Sequence, residues 1–187
     1  MVTKNYARFL NGFHSMTYSG YITAKYIIRD VSGDYKVLSL SGNDDYINTT
    51  EIYRCVNAIF AVPNLQDATI NGTTYGTGMF LGAGATSATT NDYSLESLIS
   101  FSDSGLSLIS ETVNTATDRD TLLTYVLTVK NNSTSPITIS ESGIITNTII
   151  GKMDEHKLTF LWARDTFESV TLQPGETRAF TMTIGLE

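Results

Sequence analysis

The chain carries few of the side chains that catalyse reactions or bind metals. Among its 187 residues the histidines are His14 and His156, and the one cysteine is Cys55. A serine triad needs a histidine beside a nucleophile on a sharp turn, and neither histidine lies in such a motif. Zinc sites usually take three or four protein ligands, so this set is too small. The sequence therefore predicts no catalytic residue, no metal and no cofactor.

Two further polar patterns are weak candidates for chemistry. The glycines between Gly76 and Gly84 are spaced like a phosphate-binding loop, but no Lys-Ser or Lys-Thr follows them. Asp44 and Asp45 lack the spaced oxygen ligands of a calcium loop, so we interpret them as a solvated turn. The 19 acidic residues make some carboxylate pair inevitable. A β-rich hydrolase that uses such a pair therefore stays open as an alternative.

Trp162 and Arg164 form the most distinctive aromatic and cationic pair in the sequence. Residues two positions apart on a strand share a face, so the pair could stack as a cation–π contact or bind a sugar. Trp and Arg are also enriched at protein interfaces. We predict packing or a subunit interface in preference to a ligand site. A separate hypothesis is that Glu141 and Arg164 form a buried ion pair that fixes two strands.

Composition and charge exclude several classes of protein. Hydrophobic residues make up 41% of the chain and charged residues 17%, which is typical of a folded protein. The net charge of −7, without a run of basic residues, argues against nucleic acid and anionic membrane as partners. No stretch reaches the roughly 20 apolar residues of a membrane span, and the start does not resemble a signal peptide. We expect a soluble protein made in the cytoplasm.

The elements that must position these side chains are predominantly strands. The segments 18–28 and 35–40 flank the turn residues Val31 to Asp34 and predict a hairpin. Further strands are predicted at 52–62 and 69–81, with a tight turn at Asn71-Gly72. Seven more strands are predicted, which are 99–101, 106–113, 122–129, 137–145, 158–163, 170–172 and 180–184. The residues between them predict turns, most clearly at 131–136 and at Gln173-Pro174-Gly175-Glu176.

This spacing predicts an all-β fold, an antiparallel β-sandwich of the jelly-roll or Ig-like type. One face of the strand at 122–129 is expected to be buried, because Tyr125, Leu127 and Val129 share one parity. An N-terminal helical arm is predicted at about 3–16, from apolar residues at three- and four-residue steps. We predict a single domain over 1–187, with a possible soft boundary near 85–98.

An ordered set of motifs resembles small β-rich structural proteins of tailed-bacteriophage virions. It begins with the glycine-rich run 76–84 and the segment 89–96, which ends in Asp-Tyr-Ser-Leu-Glu. Next come the Tyr-bearing strand 125–130, Asn131-Asn132-Ser133 and the segment 137–143, which ends in Ile-Ser-Glu-Ser-Gly. The last motifs are 161–167, with Ala-Arg before Phe, and 172–176, which is Leu-Gln-Pro-Gly-Glu. The departures are 85–89, which lacks the usual prolines, and Ser142, which replaces an apolar residue.

The resemblance implies a non-enzymatic structural component of the particle, at the capsid surface, the head–tail junction or the tail. Its partners would be other virion proteins and copies of itself. One alternative is a receptor- or glycan-binding module, whose aromatic platform would come from Trp162, Tyr18, Tyr21 or Tyr26. The candidate interface residues are Tyr6, Phe9, Phe13, Asp92, Tyr93, Leu95, Trp162 and Arg164.

Overall fold

A computed structural model describes residues 1–5, 24–40, 68–70, 73–75, 78–101, 103–115, 121–149 and 157–185. Their regular secondary structure is ten β-strands: β1 Ala24–Arg29, β2 Tyr35–Leu40, β3 Ala68–Ile70, β4 Thr73–Tyr75, β5 Gly78–Gly82, β6 Leu106–Thr115, β7 Thr121–Asn131, β8 Ile137–Ile149, β9 Lys157–Leu172 and β10 Thr177–Gly185. No helix in this part of the chain is long and apolar enough to cross a membrane. The predicted arm at 3–16 lies outside the described residues, apart from 3–5.

Two three-stranded antiparallel sheets form the body of the described structure. The first, here called the β8 sheet, has the order β5-β8-β9. The second, the β7 sheet, has the order β10-β7-β6. Two hairpins, β1-β2 and β3-β4, complete the strands. The prediction of an all-β, antiparallel protein is thus confirmed at the level of strands and sheets.

The larger of two hydrophobic clusters among the described residues receives side chains from both sheets. Tyr125, Leu127 and Val129 of β7 are all buried, which confirms the predicted alternation on that strand. They meet Phe160 and Trp162 of β9 in the same cluster. The ring centroids of Tyr125 and Trp162 lie 6.5 Å apart in an edge-to-face arrangement, a favourable geometry for aromatic pairs. The core therefore joins the β7 sheet to the β8 sheet.

A bulge in β9 decides which side chains enter this core. The pairing of β9 with β8 skips Trp162, because Leu161 and Ala163 pair with consecutive residues of β8. Trp162 and Ala163 both lie in the core, while Leu161 packs in a separate cluster on the other side of the sheet. A bulge shifts the alternation of the strand by one residue. Arg164 therefore faces away from the core.

The hairpin β1-β2 packs on the outer side of the β8 sheet. Its turn is closed by Asp30, whose Oδ1 accepts hydrogen bonds from the backbone N–H of Ser32 and Asp34, both at 3.0 Å. Gly33 has a φ of 94°, which favours glycine at this position. Val31 is buried against Ile145 and Leu161. The predicted hairpin is confirmed over residues 24–40, and residues 18–23 of the predicted first strand lie outside the described residues.

The N-terminal residues add an extended edge to the β8 sheet. Met1 and Arg164 exchange backbone hydrogen bonds, with the terminal amino group donating at 2.7 Å and the Arg164 N–H donating at 3.0 Å. The N–H of Thr3 donates to the carbonyl of Trp162 at 2.8 Å. The outer edge of β9 is thus paired along the segment that carries Arg164.

Three predicted strand segments are wrong. Segment 69–81 is divided among β3, β4 and β5, because β3 and β4 pair as a hairpin while β5 pairs with β8. Segments 158–163 and 170–172 belong to one strand, β9, because the polar residues between them continue to pair with β8 at Asp165 and Thr166. Segment 99–101 is not a strand. Its neighbour Leu98 makes an isolated bridge to Gly82, and the N–H of Ile99 donates to the carbonyl of Leu81 at 2.9 Å. The predicted strand at 52–62 lies outside the described residues.

Candidate functional site

A buried carboxylate on β8 is the centre of the most connected polar group in the described structure. Glu141 is 0% exposed. Its Oε1 accepts hydrogen bonds from the backbone N–H of Gly84 at 3.0 Å and of Ser97 at 2.7 Å. Its Oε2 accepts one from the N–H of Glu96 at 3.1 Å and one from Arg164 Nε at 2.8 Å. The carboxylate therefore holds both ends of the segment 83–97, here called the cover loop.

Arg164 fixes the middle of the cover loop. Its side chain is 4% exposed, and its Nη1 lies 2.8 Å from Asp92 Oδ2. Its Nη2 donates to the carbonyl of Thr86 at 3.1 Å and lies 3.4 Å from Glu96 Oε2. A guanidinium presents several donors in one plane, so a single side chain can bind three separate parts of the loop. We refer to Arg164, Glu141, Asp92 and Glu96 as the charge cluster.

The glycines around the charge cluster leave room for it. A Cβ on Gly84 would lie 2.6 Å from Glu141 Oε1, and a Cβ on Gly82 would also collide with that oxygen. A Cβ on Gly143 would lie 2.8 Å from the side chains of both Leu95 and Leu161. These glycines therefore allow close packing between the cover loop and the β8 sheet.

The two outer acids of the cluster are held by local turns within the cover loop. Asp92 accepts hydrogen bonds from the N–H of Thr89 at 2.9 Å and from its hydroxyl at 2.7 Å. Glu96 accepts in the same way from the N–H and the hydroxyl of Thr86, both at 2.8 Å. Side chains of this type commonly bond nearby backbone groups in turns. These local hydrogen bonds fix the carboxylates of Asp92 and Glu96 in the positions where they contact Arg164.

The surroundings shift the pKa values of Asp92, Glu96 and Arg164 in the direction that favours their charged forms. Burial opposes ionisation of Asp92, but the hydrogen bonds from Thr89 and Arg164 outweigh it and lower the pKa of Asp92. The hydrogen bonds from Thr86 lower the pKa of Glu96. Burial works against the charge on Arg164, yet its bonds to Asp92 and Glu141 leave its pKa raised. The charged forms of Asp92, Glu96 and Arg164 are therefore favoured in the folded protein.

This geometry is suited to holding a loop in place. Each carboxylate of the charge cluster accepts hydrogen bonds from Arg164 and from backbone N–H groups. Within the described part of the chain, no group of three or more His, Cys, Asp or Glu side chains is placed to hold a metal ion. The cluster can be assigned a structural task from its own contacts.

A second buried polar group, centred on Asn131, joins two turns at the C-terminal end of β7. Asn131 is 0% exposed, and its Nδ2 donates to the carbonyls of Ser135 at 2.8 Å and Leu172 at 3.0 Å. Its backbone carbonyl accepts from the N–H of Gly175 at 2.7 Å. The predicted turn 173–176 is confirmed, since the N–H of Glu176 donates to Gln173 O at 3.0 Å.

The structure places the candidate interface residues in different environments. Leu95, Trp162 and Arg164 are buried within the chain at 6%, 0% and 3% exposure. Asp92 and Tyr93 are half-buried on the cover loop. Tyr6, Phe9 and Phe13 lie outside the described residues, as do His14, Cys55 and His156.

One site prediction is confirmed and another is wrong. The hypothesis of a buried pair between Glu141 and Arg164 is confirmed by their 2.8 Å contact. The expectation that Trp162 and Arg164 share a face is wrong, because the bulge in β9 turns Trp162 into the core and Arg164 outward. Trp162 therefore supplies no exposed platform for a sugar. Tyr18 and Tyr21 lie outside the described residues.

Sequence reasoning missed two further arrangements. Arg29 lies on Tyr93, with the guanidinium carbon 3.7 Å from the ring centroid. The side-chain amide of Asn5 pairs with the backbone of Arg29 as a neighbouring strand would. Its Nδ2 donates to Arg29 O at 2.6 Å, and its Oδ1 accepts from Arg29 N at 3.0 Å. The partners are far apart in the sequence, so no local pattern indicates these contacts.

Comparison of the chain with protein-family models, with curated proteins and with solved structures gives no match.

Proposed function

We propose that the protein is a non-enzymatic structural component of a tailed-phage virion that acts through contacts with other proteins. The observation that carries this proposal is that separate motifs of the phage resemblance contact one another in the structure. Gly84, Asp92 and Glu96 from the first motifs contact Glu141 and Arg164 from later ones. Motifs that are separated in sequence thus form one charge cluster, and their residues serve to hold a loop.

The remaining motifs support the same interpretation. The Asn-Asn-Ser motif and the Leu-Gln-Pro-Gly-Glu motif meet at Asn131, which binds Leu172 and Gly175. Asn131 and the charge cluster are therefore two separate groups of buried hydrogen bonds that hold loops in place. Surfaces fixed before binding lose less conformational entropy when they bind, which favours a protein that works by contact. We infer that the two sheets form a single β-sandwich domain of the jelly-roll or Ig-like type.

The edge strand β6 is the proposed contact surface among the described residues. It lies at the end of the β7 sheet, and Leu108 and Ile109 are 47% and 55% exposed there. Unpaired strand edges and exposed apolar side chains favour association with another chain. We propose other virion proteins and copies of this chain as partners, with assembly into particles in the host cytoplasm. The net charge of −7 disfavours nucleic acid as a partner.

Density-gradient purification of phage particles tests this function. The chain is expected to sediment with intact particles, at a constant ratio to a major particle protein, and to remain after a high-salt wash. A host cytosolic protein measured in the same fractions serves as the control for adventitious carry-over. Recovery of the chain only in the soluble fractions, with particles free of it, would overturn the proposal.

A further inference from the structure

A polar cleft lies where the N-terminal segment, the hairpin β1-β2 and the cover loop meet. It has a volume of about 270 Å³. The described residues that line it are Lys4, Asn5, Arg29, Tyr35, Thr90, Asn91 and Asp92. The cleft is separate from the charge cluster except for Asp92, whose Oδ2 is engaged by Arg164 at 2.8 Å. The acid on this wall is therefore balanced by a cation behind it.

The guanidinium of Arg29 is fixed at this cleft. Its Nε donates to the carbonyl of Gly33 at 2.9 Å. Its guanidinium carbon lies 3.7 Å from the ring centroid of Tyr93 and 5.7 Å from that of Tyr35. A guanidinium held in this way can bind a carboxylate through two parallel hydrogen bonds.

The other walls of the cleft suit a hydroxylated ligand. Tyr35 is 59% exposed and presents an aromatic ring beside Arg29. Lys4 Nζ donates to Asn91 Oδ1 at 2.7 Å, which places an ammonium and an amide together on the opposite wall. Thr90 adds a hydroxyl group. Small-ligand sites combine a ring for stacking with a few polar groups that fix orientation.

We propose that this cleft binds an acidic sugar, with Arg29 taking the carboxylate, Tyr35 stacking on the ring, and Lys4 and Asn91 bonding hydroxyl groups. The volume fits one sugar ring and leaves little room for a longer peptide. A second cation in the lining of the cleft, Lys4, adds to the preference for an anion. The proposal is independent of the virion assignment.

Titration of the full chain with glucuronate, followed by two-dimensional amide NMR, tests the site. Glucose at the same ionic strength is the neutral comparison. Glucuronate is expected to shift the amide signals of residues around the cleft and to bind at least about tenfold more tightly than glucose, since a charge-assisted pair is worth about that factor. Equal responses to the two sugars, or no response to either, would overturn the proposal.

Variants separate the site from general electrostatics. Arg29→Gln is expected to reduce glucuronate affinity by about tenfold or more. Arg178→Gln, which removes an exposed cation on β10, is the matched control and should leave affinity unchanged. Equal losses in both variants would contradict a specific site. Tyr35→Ala alters an exposed side chain and tests stacking without depending on the fold of Arg29 variants.

A short glutamate-rich peptide distinguishes a sugar from an acidic protein segment. The sugar proposal predicts that the peptide binds more weakly than glucuronate and that Tyr35→Ala affects only the sugar. Tighter binding of the peptide, with no effect of Tyr35→Ala on glucuronate, would show that the cleft receives an acidic side chain instead.

Discussion

Arg164 Nε donates to Glu141 Oε2 at 2.8 Å, and both side chains lie on the outer face of the β8 sheet with almost no exposure. Glu141 pairs with Thr166 and Arg164 with Gly143, so the two are diagonal neighbours on adjacent strands. This one contact connects the sheet to the cover loop, because each partner also bonds the loop directly.

Removal of the charge on Glu141 should destabilise the protein strongly. Glu141→Gln keeps the size of the side chain but leaves Arg164 with a buried, partly uncompensated charge. Loss of one partner of a buried pair costs about 3–5 kcal/mol. Urea unfolding of the purified chain measures the effect. The exposed Glu168→Gln is the matched control and should fall within about 0.5 kcal/mol of the parent. Equal stabilities of the two variants would contradict the assigned role of the cluster.

Asp92 should make the protein lose stability in acid. Its lowered pKa means that the folded state favours the carboxylate, so its contribution is present above the ordinary value of 3.8 and is lost as pH falls through the lowered pKa. Asp92→Asn should flatten the decline of unfolding free energy below about pH 4. The exposed Asp103→Asn is the control. An unchanged acid profile in Asp92→Asn would contradict a lowered pKa of Asp92 caused by its hydrogen bonds from Thr89 and Arg164.

Glu111 should change the pH dependence of stability in the opposite direction to Asp92. Burial raises its pKa, although its Oε1 accepts a hydrogen bond from the N–H of Met79 at 2.7 Å. A raised carboxyl pKa favours the protonated folded state, so its contribution is present below the ordinary value of 4.5 and is lost as pH rises through the folded pKa. Glu111→Gln should therefore stabilise the protein at pH 7, and the gain should vanish toward pH 4. Thermal unfolding at both pH values checks this, and a destabilised variant at pH 7 would refute it.

Two glycine substitutions should destabilise the protein for different reasons. Gly84→Ala places a methyl group 2.6 Å from Glu141 Oε1 and from Glu96 Cβ, so overpacking should cost about 1–3 kcal/mol. Gly175→Ala meets no atom within 4 Å, and its penalty comes only from the φ of 82°. A penalty of about 1 kcal/mol is expected there. Denaturant unfolding compares the two, and amide exchange in the cover loop should increase only for Gly84→Ala. Faster exchange there in Gly175→Ala would be inconsistent with this account.

The sequence predicted those features whose determinants are local. The hairpin β1-β2 follows from its turn residues, which include Gly33. The burial of Tyr125 follows from the alternation of apolar and polar residues along β7. The turn at 173–176 follows from the Pro174-Gly175 dipeptide. The Glu141–Arg164 pair was also predicted, as a hypothesis about two strands.

The remaining features depend on tertiary contacts. The bulge at Trp162 carries no local signal, and it arises where strand pairing shifts so that two adjacent apolar residues reach the core. The polar middle of β9 stays extended because Arg164 and Asp165 pair with β8. Asn131 looked like an ordinary turn residue, and its burial results from the arrival of Leu172 from a distant strand.

Cryo-electron microscopy of intact particles tests the central claim most directly. The account predicts repeated density, at a fixed position in the particle, that fits the two packed sheets with the cover loop seated on Glu141 and Arg164. The particles must come from cells that produce this chain. If other chains then explain every protein density in the map, a structural role in the virion is contradicted.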